Sequence, residues 1–296
     1  MGHLLKNKYL EIQIDYPEEN YNSSRFDWTG KINSVVFLGN ILTGTEKEND
    51  FNTEIHGQGF YNEFGMDFPL GFDEAKDGDW FHKIGIGLLK KENVKYDFFH
   101  NYTVKPAKFS IKSSPLFVEI ICHSMLYDGY CYVLTKNISL KDNVLKIKYR
   151  LENKGSKRII TSEYVHNFIL LNRSNSDVES SLDLDFNIKQ NHFDSSVNPN
   201  NSVVFNGKKI TFNLIDDREY YFSNLSGGNE VKSKWEFNDL KRLLYFSERG
   251  DFSTKKINIW GNKNVFSPEL FIEFDLAANS TKEWTRAYTF KTNQSI

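Results

Sequence analysis

Few side chains in this chain have both the chemistry and the setting for catalysis. His166 lies in Tyr164-Val165-His166-Asn167-Phe168, an apolar and aromatic stretch where neither solubility nor turn formation calls for an imidazole. It is either a hydrogen-bonded core residue or a proton donor facing a pocket. An ordinary pKa of about 6.5 lets imidazole give and take protons near neutral pH. Glu269, in Ser267-Pro268-Glu269-Leu270, follows a proline just before an alternating run. A carboxylate projecting from a strand end there can act as the complementary base; its plainer reading is a strand-start residue paired with a lysine. Arg25, in Arg25-Phe26-Asp27-Trp28, and His56 with Glu63, in a glycine-rich stretch, are further polar anomalies. A surface ion pair and a loop histidine are their plainer readings.

Other chemistries find no anchor. Gly85-Ile86-Gly87 has no third glycine at dinucleotide spacing and no surrounding βαβ unit. A Gly-Lys-Ser/Thr phosphate loop, a Gly-x-Ser-x-Gly elbow and a His-Glu-x-x-His helix are all missing from the sequence. The 7 histidines are scattered without metal-ligand spacing, so no metal site is expected. Cys122 and His123 are neighbours, and in a strand adjacent side chains point to opposite faces, which separates this nucleophile–base pair.

The elements that must position these residues read as strands. Leu10, Ile12, Ile14 and Tyr16 alternate with Glu11, Gln13 and Asp15; Leu145, Ile147, Tyr149 and Leu151 alternate with Lys146, Lys148 and Arg150. Ile210, Phe212 and Leu214, and Leu270, Ile272, Phe274 and Leu276, repeat the pattern. Period-two alternation marks strands with one face on a core and one on water, usually in antiparallel sheets. Asp128-Gly129 and Asn206-Gly207 between apolar runs predict hairpins. The stretch Asn238–Leu244 reads as one or two helical turns, and Asn172–Asp185 and Asp194–Asn201 read as loops. The segment Glu54–Leu89, rich in glycine, charge and aromatics, breaks the rhythm. It is either a site-building loop or a packed crossing between two sheets.

Composition narrows the class. The 296 residues carry a net charge of −2 with acids and bases mixed along the chain, so no nucleic-acid surface is expected. No stretch approaches the roughly 18–20 apolar residues of a membrane helix, and no cleavable leader is evident. A cytoplasmic protein is the expectation, with Cys122 and Cys131 as free thiols. The 25 Phe and 15 Tyr suit wide strands. No linker or repeat divides the chain, so residues 1–296 are expected to form one all-β antiparallel sandwich.

Taken together, the motifs resemble the galactose mutarotase-like (aldose 1-epimerase) superfamily. The matching text is Arg25-Phe26-Asp27-Trp28-Thr29-Gly30, then Gly71-Phe72-Asp73-Glu74-Ala75-Lys76 through Lys83-Ile84-Gly85-Ile86-Gly87-Leu88. It continues with Tyr164–Phe168, Ser267-Pro268-Glu269-Leu270-Phe271 and Trp284-Thr285-Arg286-Ala287-Tyr288-Thr289-Phe290. The likeness runs over nearly the whole chain and is closest to uncharacterised bacterial mutarotase-like proteins. It implies a β-supersandwich, His166 as general acid, Glu269 as general base, and His56 and Arg25 on sugar hydroxyls. Asn167 stands where the family's Asn-His-x-Tyr-Phe text differs, and Pro268-Glu269-Leu270 replaces its Glu-Pro-Gln.

The implied reaction interconverts the α and β anomers of an aldose without cofactor or metal. Glu63, Lys83, Asn167 and Arg286 complete the expected substrate-binding set, with Arg25, Lys83 and Arg286 the candidate clamp if the monosaccharide carries a phosphate. Trp28, Phe60, Tyr61 and Trp80 are candidate covers for the apolar side of the sugar. The imidazole and carboxylate are expected to converge across one monosaccharide-sized hollow. A sugar-binding protein without turnover, and a glycoside hydrolase or lyase recruiting Asp73, Glu74 and Glu63, are the alternatives.

Overall fold

Alternation becomes pairing in the computed structural model, which describes residues 2–47, 56–171, 180–213 and 218–292. In the strand Val144–Asn153, Leu145, Ile147, Tyr149 and Leu151 are buried while Lys146 and Lys148 are exposed. Ile272–Leu276 buries its apolar positions and exposes Glu273 and Asp275. Ile210 and Phe212 are likewise buried in Lys209–Phe212. The expected Leu214 lies outside the described residues.

Among the described residues the strands form four sheets. A seven-stranded sheet runs His3–Lys6, Leu10–Asp15, Lys31–Phe37, Phe60–Phe64, Ile159–Asn167, Ile272–Leu276, with Asn40–Ile41 on Lys31–Phe37. A ten-stranded sheet has Val231–Asp239, Leu244–Thr254, Thr281–Thr292, Val144–Asn153 and Tyr132–Lys141 at its centre. Their inner faces meet in one core, where Phe60 stacks on Tyr288 at 4.6 Å and Phe64 meets Trp284 at 6.3 Å. A five-stranded sheet (Ile169–Leu170, Val265–Leu270, Ile257–Gly261, Tyr220–Ser223, Ser195–Val197) and a three-stranded sheet (Trp80–Lys83, Gly87–Lys90, Val104–Pro106) complete the architecture. The pairings are antiparallel throughout these sheets, as the expected all-β sandwich requires.

Both hairpin signals form turns. Asp128 and Gly129 have φ of 46° and 78°, and Tyr127 and Tyr130 exchange both backbone hydrogen bonds across them. Positive φ at both central residues is the twist-matched turn that Asp-Gly favours. Asn206 pairs with Lys209 around Gly207.

Three local expectations are corrected. Residues 240–243 form a turn between strands rather than helix, because Asp239 accepts the Arg242 backbone N–H at 2.9 Å and grips its side chain. Within the expected loop Asn172–Asp185, residues 172–179 lie outside the description, but Ser180–Leu184 is a strand of the ten-stranded sheet. Only Leu182 and Leu184 alternate there, too few to show a period. Ser195–Val197 is an edge strand inside the expected loop Asp194–Asn201. The segment beginning at Glu54 is described from His56 onward and supplies three strands. Phe60–Phe64 is buried on both faces, so its alternation vanishes. Cys122 and Cys131 are both free thiols. Among the described residues no helix is long and apolar enough to cross a membrane.

Candidate active site

Two central strands of the seven-stranded sheet set the geometry. Phe60–Phe64 and Ile159–Asn167 pair with Tyr61 opposite His166 and Glu63 opposite Tyr164. Strand side chains alternate between faces, so Tyr61, Glu63, Tyr164 and His166 share one face. Asn62, Glu163, Val165 and Asn167 share the other, against the ten-stranded sheet.

On the first face His166 stacks on Phe168 (centroids 4.1 Å, planes 10° apart) and meets the edge of Trp260 at 5.2 Å. Glu269 arrives from Val265–Leu270 in the five-stranded sheet, and its Oε1 lies 3.3 Å from His166 Nε2. Residues 103 positions apart thus meet directly. The expected hollow between them is absent: the side chains are 3% and 4% exposed and touch. This corrects the expectation, and its cause is close aromatic packing around the imidazole.

Burial favours the neutral form of each partner. It pushes the Glu269 carboxyl up to about 8, with Arg25 opposing and Glu63 adding to the rise. It pushes His166 down to about 3, against the favourable field of Glu46. At neutral pH the pair therefore holds one proton, on Glu269 at rest.

Arg25 organises the polar surroundings. Its Nε donates to Glu63 Oε2 at 3.1 Å and its Nη1 to Glu46 Oε1 at 3.0 Å. Phe26, Phe98 and Phe99 lie 4.4, 4.8 and 5.3 Å from the guanidinium, within cation–π range. Burial works against this charge, but Glu46 and Glu63 outweigh it and hold Arg25 above its ordinary value. Glu63 also accepts from the Tyr164 hydroxyl at 2.7 Å and from Lys83 Nζ at 3.3 Å. Lys83 donates further to the Tyr96 hydroxyl at 2.9 Å; burial lowers its pKa while Glu63 resists.

Glu46 is the residue that sequence reasoning missed. Besides Arg25, it accepts the Gly57 backbone N–H at 2.9 Å and faces His56 Nδ1 at 3.8 Å. Burial disfavours its charge, but Arg25 prevails and lowers its pKa. Its sequence setting, Thr45-Glu46-Lys47, looks like a solvated turn. His56 lines a cavity of about 230 Å³ with Tyr21, Gln58 and Tyr61.

Two expected ligands belong elsewhere. Asn167 lies on the far face, donating to Glu248 Oε2 at 3.2 Å and the Pro268 carbonyl at 2.8 Å and accepting from Tyr288 at 3.0 Å. Arg286 is wholly buried between the sheets, bonded to Glu248 at 2.6 Å, Glu163 at 2.8 Å and the Leu270 carbonyl at 2.8 Å. Both are corrected from substrate ligands to intersheet struts. Phe60, on the same inner face, is likewise corrected as a sugar cover, and Trp28 is buried with its indole N–H on the Ser23 carbonyl. Trp80 stands at the start of the three-stranded sheet, and Tyr61 faces the His56 cavity. Glu74 is at the surface, bonded to Tyr130 and Lys157, so it does not join Glu63 in a cleavage pair. Among the described residues no three His, Cys, Asp or Glu side chains form a metal-holding group.

No protein-family model and no curated protein sequence matches the chain. Solved structures do. The Slr1438 protein from Synechocystis sp. PCC 6803 aligns at TM-score 0.61 and 11% identity over 99% of this chain and 96% of its own. A galactose mutarotase related enzyme from Lactobacillus acidophilus aligns at 0.60 and 13% over 99% and 98%. A galactose mutarotase-like protein from Lactobacillus casei aligns at 0.58 and 12% over 98% and 100%. The chain therefore has the galactose mutarotase-like β-sandwich fold, and the likeness is one of fold.

Proposed function

We propose that the protein interconverts the α and β anomers of an aldose, in the manner of an aldose 1-epimerase, with His166 and Glu269 as its acid–base pair. The observation that carries this reading is their 3.3 Å approach from different sheets. The two oxygens that exchange protons in ring opening, O1 and O5, are bonded to the same carbon. Acid and base must therefore sit close together, and a bound sugar must part both their contact and the packing of Phe168 and Trp260 around it.

In the expected roles, the resting proton first passes from Glu269 to His166, a transfer that the burial of both groups opposes and that Arg25 at the carboxylate and Glu46 at the imidazolium assist in part. Glu269 then takes the O1 proton, the O1 electrons form the C1 carbonyl as the C1–O5 bond breaks, and His166 protonates O5. Rotation about C1–C2 and the reverse steps close the other anomer, and both groups return to their starting states. Each such group contributes typically about 10²–10⁴-fold. Arg25, Glu46, Glu63 and His56 are placed in this reading to meet hydroxyls, and no step uses a metal or cofactor.

The near-closure of the pair, with Phe98 and Phe99 over Arg25, favours one second reading: a sugar-binding protein without turnover. Anomer-resolved NMR exchange on a sugar panel separates the two. Exchange that His166→Ala and Glu269→Gln each abolish supports catalysis; calorimetric sugar binding with no exchange supports the second reading. Exchange unchanged in both folded variants removes the assignment.

A further inference from the structure

The candidate acid–base pair and the polar cluster around Arg25 are buried, so a ligand reaches them only where a cover gives way. Most covers are fixed. Phe26, Phe168 and Tyr164 are buried, and Tyr61 and Trp260 stand on paired strands. The exception lies on the connection between Gly87–Lys90 and Val104–Pro106. Residues 91–103 have no regular structure, and their ends lie together. The Thr103 hydroxyl donates to Glu92 Oε1 at 2.7 Å, and the Lys90 N–H donates to the Thr103 carbonyl at 3.0 Å. A surface loop with joined ends and its own packed side chains is an Ω-loop, a form that often serves function.

This loop has a fixed half and a loose half. Tyr96 and Tyr102 fix it: their rings stack 5.6 Å apart, 6° from parallel, and Phe81 meets both edge-on at 6.2 and 5.5 Å. The Tyr96 hydroxyl accepts from Lys83 Nζ at 2.9 Å. The loose half is the turn Asp97-Phe98-Phe99-His100. It closes on itself, with the His100 N–H on the Asp97 carbonyl at 3.0 Å and the Phe99 N–H on Asp97 Oδ1 at 2.9 Å. Its ties are at its ends. The Asp97 N–H donates to the Tyr102 hydroxyl at 2.9 Å, and the Ser24 hydroxyl donates to the His100 carbonyl at 3.0 Å while accepting the Tyr102 N–H at 3.0 Å. Between those ties the rings of Phe98 and Phe99 lie 4.3 Å from each other and 4.8 and 5.3 Å from the Arg25 guanidinium. Phe99 is 50% exposed, and cation–π contacts are weakest where solvent reaches them. Arg25 also carries Phe26 at 4.4 Å, which is fully buried and meets the edge of His166 at 6.2 Å. Solvent, Phe99, Arg25, Phe26 and His166 thus follow one another inward.

We propose that residues 97–100 form a lid, closed in this structure, and that a ligand binds only after Phe98 and Phe99 leave Arg25. The proposal rests on the anomer-exchange reading for its ligand and adds the step that admits it. A closed resting state lowers apparent affinity by the fraction of molecules that are open, so loosening the lid strengthens binding. The first test is peptide-resolved modification of the full chain by phenylglyoxal, which condenses with accessible guanidinium groups. Phe98→Ala/Phe99→Ala and Ser24→Ala are each expected to raise the Arg25 rate at least about tenfold, with exposed Arg249 as the internal reference. Ser24→Ala cuts a tie without altering the rings, and so keeps the test decisive if the double variant fails to fold. Arg25 rates equal to that of wild type in the folded variants overturn the lid. The second test is anomer-resolved NMR exchange on glucose, galactose and xylose, where the same variants should lower KM at least about threefold. A raised or unchanged KM also overturns the lid and leaves the exchange reading standing. If no sugar exchanges with wild type, the exchange reading fails, and the Arg25 rates alone judge the lid.

Discussion

His166 and Asn167 are bonded neighbours whose side chains serve opposite sides of one strand. The imidazole meets Glu269 at 3.3 Å on the outer face, while the Asn167 amide is held by Glu248, Tyr288 and the Pro268 carbonyl between the sheets. One peptide bond separates candidate chemistry from sheet-to-sheet adhesion. The same division sorts the neighbouring polar residues of the two central strands: Glu63 and Tyr164 go with His166, Asn62 and Glu163 with Asn167.

The shared proton gives the pair a distinctive pH profile. Burial sets Glu269 at about 8 and His166 at about 3, so one proton resides on the pair throughout that interval. Ring opening needs one acid and one base, so kcat/KM should stay level through neutral pH and fall above about pH 8. An ordinary histidine would place a limb near about 6.5 instead. Exchange rates measured between pH 5 and 9, with a limb near 6.5 and none near 8, would count against the buried pair.

Glu46 should behave as the anchor of Arg25. Glu46→Gln keeps an acceptor for the Gly57 N–H but leaves the guanidinium with Glu63 alone. Breaking one arm of a buried ion cluster costs about 3 kcal/mol, readable by urea denaturation. A loss below about 0.5 kcal/mol would show that solvent already compensates Arg25.

How much of this was legible in the residues depends on alternation. Leu145 to Leu151 announced their strand because one face is wet. His166 and Glu269 stood out as polar groups in apolar text, and they do meet. Phe60–Phe64 did not announce itself, because burial on both faces erases the period. Arg286 carried a signal that recognition of the motif overrode: it falls in register with Trp284, Tyr288 and Phe290, all buried. That register alone points it into the core. Glu46 carried none, since its role comes from Arg25, 21 residues earlier, and depends on tertiary folding.

Arg286 offers a test of that register argument. Arg286→Met leaves Glu163 and Glu248 buried without their shared cation. The expected loss is about 3–5 kcal/mol. Adding Glu163→Gln and Glu248→Gln should recover part of it, because the uncompensated charges, rather than a missing contact, carry most of the cost. A sugar phosphate should give no extra thermal protection to wild type through this residue. Protection by a sugar phosphate that Arg286→Met abolishes would restore Arg286 as a ligand.

His82 should govern the acid limit of stability. It is 1% exposed on Trp80–Lys83, between Tyr130 and Tyr132 at 6.1 and 5.8 Å, and neither ring nitrogen has a hydrogen-bond partner. Burial lowers it to about 4, only partly offset by the nearby Tyr127 and Tyr130 backbone. A pKa depressed by folding gives stability that is present above the unfolded value and lost as pH falls through the folded one. For His82 the loss is roughly 3 kcal/mol between about pH 6.5 and 4, at about 1.36 kcal/mol per unit. His166, lowered to about 3, acts in the same direction. Glu269, raised to about 8, acts oppositely: its contribution is present below the unfolded carboxyl value and lost as pH rises toward 8. Between about pH 4.5 and 6.5 the two histidines add a rise of stability with pH, and Glu269 and Glu163, both raised by burial, act against it. In His82→Phe that histidine's share is removed, so urea denaturation between pH 4.5 and 6.5 should give a slope about 1.36 kcal/mol per unit lower than that of wild type. An acid slope equal to that of wild type would locate the sensitivity somewhere other than His82.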